Sequence, residues 1–197
     1  MPKKTDQFNI VIVGTGGQGL ITLLQTLAEA AMLEGYDFKT SELHGLSQRG
    51  GSVEVHIRFG QNVHSPMVAR GKADLILALE TQETLRAVKF ANPQSTFLIN
   101  KHIVPIPLQK PITEKEVLIA VKKTSKKTEI IPAFDICKEK FGTGVTSGIY
   151  LISLAVARKI IPLKSGSVLK AIRKVIPEKY LDLNIKTFEL AKNYGRE

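Results

Sequence analysis

A glycine-rich stretch near the N-terminus has the spacing of a phosphate-binding loop. In IVIVGTGGQGLITLL (10–24), Gly14, Gly16 and Gly19 fit the pattern G-x-G-x-x-G between a predicted strand and a predicted helix. Glycines let a backbone turn tightly and approach a ligand, and a helix N-terminus offers unpaired N–H groups to an anion. Three interpretations stay open on these residues alone: a nicotinamide or flavin dinucleotide, another phosphate or cofactor, or a purely structural turn.

The dinucleotide interpretation requires an acidic side chain that the sequence does not clearly supply. A ribose contact is expected about 20 residues beyond the loop, where the chain has Lys39 and Thr40, with Glu42 slightly late. The loop also carries Gly17, and a fourth glycine favours close packing against something large or flat. We therefore predict that the loop holds no tightly bound dinucleotide. A stand-alone Rossmann-type dinucleotide-binding oxidoreductase is the alternative hypothesis.

A second polar stretch, SELHGLSQRGGSV (41–53), is predicted to be a loop at the carboxyl end of the second strand, where open α/β sheets bind ligands. The fork of Arg49 matches a carboxylate or phosphate from a ligand or a partner subunit; a structural ion pair is the simpler alternative. The candidate residues for cofactor binding or subunit contact are Gly14, Gly16, Gly17, Gln18, Gly19, Ser41, Glu42, His44, Gly45, Gln48, Arg49, Gly50 and Gly51.

Neither stretch contains catalytic or metal-binding residues of a recognisable kind. Ser47 and Ser52 lack the G-x-S-x-G setting of a serine nucleophile. The histidines do not have metal-ligand spacing, so we predict no catalytic residue and no metal site.

The elements around these stretches alternate between strands and helices. Apolar runs predict buried strands at 10–13, 73–80 and 95–100, and further strands are predicted at 36–43 and 128–134. Alternation in SVEVHIRFG (52–60) predicts a strand with one wet face, which would expose Glu54 and His56. Helical spacing predicts helices at 20–33, 81–90, 113–125, 147–161, 165–175 and 177–194. Thr113 and Glu116 form a capping box, and Gly35 is placed to end the first helix.

This order predicts a doubly wound, Rossmann-like α/β sheet with a helical C-terminal segment at 144–197. A chain of 197 residues with 43% hydrophobic content is long enough for one well-buried core. We expect a single domain over 1–197, with residues 1–7 flexible.

Composition narrows the function. Cys137 is the only cysteine, so the chain forms no internal disulfide and no cysteine-ligated iron–sulfur site of its own. The formal charge of +10 favours acidic partners, but the basic clusters lack interleaved aromatic residues, so nucleic acid is not expected. No signal peptide or apolar run of membrane length is present, which indicates a cytoplasmic protein without membrane contact.

Two longer stretches together resemble a known protein family. They are IVGTGGQGLITLLQTLAEAAMLEGYDFKTSELHGLSQRGGSVEVHIRFG (12–60) and SPMVARGKADLILALETQETLRA (65–87). The pair of motifs GxGGQG and E-x-H-G-x-x-Q-R-G-G is far more specific than either motif alone. Over residues 8–195 the chain resembles the gamma domain of 2-oxoacid:ferredoxin oxidoreductases, with the small beta subunit of indolepyruvate ferredoxin oxidoreductase as its nearest likeness.

The resemblance implies a component of a larger enzyme. In this family, 2-oxoacids are decarboxylated on thiamine diphosphate, electrons leave through [4Fe–4S] clusters to ferredoxin, and coenzyme A takes the acyl group. Thiamine diphosphate, magnesium and the clusters are expected on a larger partner subunit, so the isolated chain is predicted to be inactive. The loop Gly14–Gly19, here called the glycine loop, and the 41–53 stretch would face that subunit or the coenzyme A channel. Arg49 would then act through its charge at this boundary.

Overall fold

The computed structural model describes residues 6–45, 50–105 and 112–195. In chain order the elements are β1 Gln7–Thr15, α1 Leu20–Leu33, β2 Asp37–His44, β3 Ser52–Gly60, β4 Leu75–Ala78, α2 Thr84–Ala87 with a 3-10 turn Val88–Phe90, β5 Thr96–Asn100, α3 Glu114–Lys122, β6 Thr128–Ile131, α4 Ala133–Phe141, α5 Ser147–Ala157, α6 Ser165–Val175 and α7 Glu178–Tyr194.

The strands form one six-stranded sheet in the order β2-β3-β1-β4-β5-β6. β1, β4, β5 and β6 run parallel, whereas β3 is antiparallel to both β1 and β2. The carboxyl ends of β1 and β2 therefore lie at the same edge of the sheet. The chain leaves β1 towards β2 and β3 on one side and returns to β4 on the other, so the topological switch point lies between β1 and β4.

Helices cover both faces of the sheet, which confirms the predicted doubly wound architecture. Alternate residues of β1 separate the two cores: Ile10 and Ile12 pack with α1 and α4–α7, whereas Val11 and Val13 pack with α2, the 3-10 turn and α3. α5 is buried almost all round. No helix in the described part of the chain has the length and hydropathy needed to cross a bilayer.

Several predicted elements are confirmed at their ends. α1 spans residues 20–33 as predicted, and Gly35 has a left-handed backbone with φ of 73°. The side chain of Thr113 accepts a hydrogen bond from the N–H of Glu116, and the Glu116 carboxylate accepts one from the Thr113 N–H, which completes the capping box. The helices predicted at 165–175 and 177–194 correspond to α6 and α7.

Other predictions are wrong in their limits. β1 begins at Gln7, before the predicted start at residue 10 and inside the segment expected to be flexible. The strand predicted over 128–134 ends at Ile131, and α4 begins at Ala133 after Pro132. Proline has no N–H to continue a β-ladder but suits the start of a helix. The helix predicted over 81–90 shortens to α2 and the 3-10 turn.

The prediction that one face of β3 is exposed to solvent is also wrong. Glu54 is 6% exposed and His56 is fully buried, because residues 68 and 89–90 cover this side of the strand. The N–H of Val68 donates to His56 Nδ1 at 3.1 Å. This bond requires a lone pair on Nδ1, and the Nε2–H then donates to the Glu54 carboxylate at 3.0 Å.

Candidate functional site

The glycine loop is closed by one of its own side chains. Gln18 folds back over the end of β1, where its Oε1 accepts the Thr15 N–H at 2.9 Å. Its Nε2 donates to the Leu79 carbonyl, just beyond β4, at 3.5 Å. The amide therefore bridges the ends of the two strands at the switch point, the place where doubly wound folds hold their ligands.

The glycines of this loop have separate roles. A Cβ on Gly14 would lie 2.6 Å from Gln18 Oε1, so the Gln18 side chain would have to move to make room for it. Gly17 and Gly19 have φ of 96° and 78°, a backbone conformation that favours glycine, and the space beside both is open. The loop is thus packed on its inner side and accessible on its outer side.

The second candidate stretch meets the glycine loop through its last glycines. The N–H of Gly16 donates to the Gly51 carbonyl at 2.9 Å, and Gly50 has a φ of 67°. Gly50 lines the same pocket as Gly16 and Gly17. These contacts bring together Gly14, Gly16, Gly17, Gln18, Gly19, Gly50 and Gly51 from the two predicted motifs.

The remaining candidates lie elsewhere. Ser41, Glu42 and His44 are part of β2 rather than a loop, because the β2–β3 ladder continues to the pair His44 and Val53. β2 is an edge strand of the sheet, and these three residues are not in the lining of either of the two pockets described below. Gly45 follows β2 directly. The candidates Gln48 and Arg49 lie outside the described residues.

A pocket of about 380 Å³, here called the loop pocket, lies beside the glycine loop. Gly16, Gly17 and Gly50 form one wall, and His102 and Phe134 lie in the lining with their rings stacked at 3.9 Å between centroids. Sequence reasoning missed His102 and Phe134. The position of His102 two residues beyond β5 could have indicated it, since the carboxyl ends of parallel strands meet at this edge.

A second pocket of about 360 Å³, here called the helix pocket, lies on the other side of Gln18. It is mainly apolar and lies between the first turns of α1, α5 and α7. No sequence motif indicated this pocket, because its residues come from three separate parts of the chain.

An acidic cluster (Glu54, Glu80 and Glu83) lies near the start of β3. Burial raises the pKa of Glu54, but the hydrogen bond from His56 and the charge on Lys89 outweigh burial and bring that pKa below its usual value. Burial raises the pKa of Glu83, and the neighbouring carboxylates add to this effect. Glu83 Oε1 accepts the Ser52 hydroxyl at 2.8 Å, and Glu80 Oε2 accepts the Glu83 N–H at 2.8 Å.

The residues present do not fit the redox cofactors of the predicted family. Four cysteine thiolates hold a [4Fe–4S] cluster, whereas this chain has only Cys137, which is buried and has its pKa raised by that burial. Within the described ranges, no three His, Cys, Asp or Glu residues lie together as metal ligands. The sequence also lacks the Gly-Asp-Gly motif that holds thiamine diphosphate through magnesium.

Comparison with known proteins identifies the family. Residues 9–194 match the family described as pyruvate ferredoxin/flavodoxin oxidoreductase. The chain belongs to this family. It is 34% identical over 192 residues to the indolepyruvate oxidoreductase subunit IorB of Archaeoglobus fulgidus, with 95% of this chain and 94% of that protein covered.

Two further similarities agree with this assignment. The chain is 30% identical over 152 residues to the pyruvate/ketoisovalerate oxidoreductases common subunit gamma of Pyrococcus furiosus, covering 77% of this chain and 78% of that protein. Its fold matches 98% of this chain to 31% of 2-oxoglutarate:ferredoxin oxidoreductase from Magnetococcus marinus, with a TM-score of 0.75 at 13% identity. The gamma-domain resemblance is confirmed, and the stand-alone dinucleotide oxidoreductase is not favoured.

Proposed function

We propose that this chain is the small subunit of an indolepyruvate-type 2-oxoacid:ferredoxin oxidoreductase in the cytoplasm. The similarity to the indolepyruvate oxidoreductase subunit IorB of Archaeoglobus fulgidus carries the proposal, because it extends over nearly the whole length of both chains. The similarity to the pyruvate/ketoisovalerate subunit covers less of the chain, so an aryl 2-oxoacid is the favoured substrate class.

The redox chemistry is assigned to a larger catalytic subunit. Because this chain offers one buried cysteine and no diphosphate motif, we propose that thiamine diphosphate, magnesium and the [4Fe–4S] clusters lie on that partner. When bound there, these groups would supply decarboxylation of the 2-oxoacid and electron transfer to ferredoxin. The small subunit would complete the enzyme and help to receive coenzyme A.

The loop pocket is the proposed position of an anionic group of coenzyme A. The open backbone of Gly17 and the imidazole of His102 both border it, as do residues 143–145 before the N-terminus of α5. Backbone N–H groups at a helix start favour phosphate. The end of the β2–β3 hairpin would face the catalytic subunit beside this pocket, and a contact of Arg49 with that subunit or with coenzyme A stays a prediction.

Reconstitution tests the proposed function. The isolated chain should reduce no viologen dye when supplied with indolepyruvate and coenzyme A, whereas the chain co-purified with its large subunit should do so. Pyruvate and ketoisovalerate serve as competing substrates and should turn over more slowly. Turnover by the isolated chain, or capture of no partner with iron–sulfur clusters, would contradict the subunit assignment. Faster turnover of pyruvate would contradict only the substrate class.

A further inference from the structure

The rings of His102 and Phe134 form a stacked pair in the lining of the loop pocket. The angle between the ring planes is 13°, and their centroids are 3.9 Å apart. Gly144, another residue of the lining, lies so close that a Cβ there would be 2.3 Å from two carbon atoms of the Phe134 ring. The position of the His102 imidazole in the pocket therefore depends on the contacts that hold this pair in place.

Asn100 connects the backbone at Phe134 with the end of β4. Asn100 is the last residue of β5 and is 1% exposed. Its Oδ1 accepts the Phe134 N–H at 3.1 Å, and its Nδ2 donates to the Leu79 carbonyl at 3.2 Å. The same carbonyl accepts Gln18 Nε2 at 3.5 Å. An amide supplies the donor and the acceptor that the two backbone groups need, and it thereby ties Phe134 to the strand end beside the glycine loop.

Thr81 makes three hydrogen bonds to the chain at and before His102. The Thr81 N–H donates to the His102 carbonyl at 2.9 Å, and the Thr81 hydroxyl accepts the His102 N–H at 3.2 Å. The hydroxyl also donates to the Asn100 carbonyl at 2.9 Å. Two of the three bonds would be lost with the hydroxyl, and Thr81 is 1% exposed, so water has little access to replace them.

We propose that Thr81 and Asn100 are positioning residues of the loop pocket. Neither side chain is part of the pocket lining, so both act through His102 and Phe134. The His102 ring, kept in its stack on Phe134, contacts an anionic group of coenzyme A without prior rearrangement, which lowers the cost of binding. This inference rests on the proposed function, because it concerns the pocket to which coenzyme A is assigned there.

Proton NMR of the full chain tests the positioning directly. The chain has four histidines, and the His102 ring signals are identified by their loss in His102→Gln. Stacking on Phe134 shifts these signals upfield, and Phe134→Leu should remove the shift. Thr81→Val should reduce the upfield shift because two hydrogen bonds that fix the chain at His102 are lost, whereas Thr81→Ser should retain it.

Kinetics of the complex with the large subunit separate positioning from a general loss of structure. Thr81→Val should raise the KM for coenzyme A by about threefold to tenfold, with kcat and the KM for indolepyruvate unchanged. A loss of folded subunit would instead lower kcat and leave both KM values as they are. Thr81→Ser should restore the natural KM. Thr26→Val is the matched control: Thr26 is also buried, but its hydroxyl donates to the Thr22 carbonyl within α1, so the KM and the His102 signals should stay unchanged.

A further variant, His102→Ala, distinguishes failure of this inference from failure of the proposed function. If His102→Ala raises the KM for coenzyme A but Thr81→Val does not, the pocket binds coenzyme A and the positioning role is wrong. If His102→Ala leaves that KM unchanged, the proposed coenzyme A site is wrong and the positioning role with it. Thr81→Ser behaving like Thr81→Val would also overturn the inference. If Thr81→Val does not fold, Asn100→Asp takes its place with the same expected results, because it keeps the acceptor for Phe134 but sets an oxygen against the Leu79 carbonyl.

Discussion

At the scale of single residues, Gln18 lies at the switch point of the sheet, where doubly wound folds bind their ligands. Its amide accepts the Thr15 N–H and contacts the Leu79 carbonyl across the switch point. A pyrophosphate at this point would compete with Gln18 for the Thr15 N–H. This competition is a second physical reason, besides the missing ribose contact, to expect no tightly bound dinucleotide at the glycine loop.

Gln18→Ala should lower the free energy of unfolding by about 1–3 kcal/mol, because it leaves the buried Thr15 N–H without its acceptor. Urea denaturation followed by circular dichroism measures the change. Gln61→Ala is the matched control, since Gln61 is exposed and uses only its backbone N–H in a hydrogen bond to Asp6. Equal effects of the two substitutions would show that the Gln18 amide does not stabilise the loop.

A double-mutant cycle sharpens this comparison. Gly14→Ala alone would force its new methyl group against Gln18 Oε1, a contact of 2.6 Å. In the Gln18→Ala background that contact is gone, although Leu79 and Leu20 remain close to the new methyl. The double variant should therefore lose about 1 kcal/mol less than the sum of the single losses. Strict additivity would mean that Gly14 and Gln18 do not pack against each other.

At the scale of elements, α5 ends in a conformation that its sequence does not favour. Lys159 has a φ of 58°, the only positive φ of a non-glycine residue in the described ranges. Its N–H donates to the Val156 carbonyl and the next N–H, of Ile160, donates to the Ala155 carbonyl, which together form a Schellman motif. Glycine is the usual residue at this position, as Gly142 is at the end of α4.

Lys159→Gly should raise the free energy of unfolding by about 0.5–1 kcal/mol. The left-handed conformation costs an L-residue about 1–2 kcal/mol, and the greater freedom of glycine in the unfolded chain offsets part of that gain. The Lys159 side chain is exposed, so its removal should cost little. Lys159→Ala separates the two effects in thermal denaturation, because alanine keeps the Cβ. A stabilisation as large in the alanine variant would contradict the role of the backbone conformation.

A comparison of α1 with β3 explains why some features of the elements could be predicted from the sequence and others could not. α1 was predicted at both ends because local residues define them: Gly19 and Gly35 both adopt positive φ. The prediction that one face of β3 is exposed to solvent was wrong because residues 54, 68 and 90 contact His56. The alternation of residues within the strand does not reveal contacts with other segments. The glycine loop was predictable as a motif. Its closure by Gln18, and the contribution of Phe134 to the loop pocket, depend on packing between distant segments.

At the scale of the whole molecule, the free energy of unfolding should depend on pH through the acidic cluster. Burial raises the pKa of Glu83 above its ordinary value of 4.5, and Glu80 and Glu54 raise it further, against the opposing effects of Ser52 and Arg86. A raised pKa in the folded state means that the stabilising contribution is fully present below pH 4.5 and is lost as the pH rises through the folded-state value. At neutral pH the ionised carboxylate therefore destabilises the fold.

Glu83→Gln should become more stable relative to the natural chain as the pH rises from about 4 to 7, because glutamine carries no charge to bury. Its Oε1 still accepts the Ser52 hydroxyl. Denaturation of both proteins across this pH range gives the difference directly, and the other titrating groups largely cancel in it. A difference that stays constant or shrinks with rising pH would contradict the raised pKa.

The two faces of the sheet have separate apolar cores, and this affects which apolar surfaces are exposed while the chain is being synthesised. The six strands of the sheet all precede residue 132, but α5, which contacts β5 on the face that carries Ile10 and Ile12, and α6 and α7, which pack on α1 and α5, leave the ribosome last. A nascent chain that already presents these six strands thus still exposes the apolar surfaces of α1 and β5 that α5–α7 later cover. Such surface attracts chaperones and promotes aggregation. Truncation within α5–α7 should accordingly yield insoluble protein rather than a smaller folded domain.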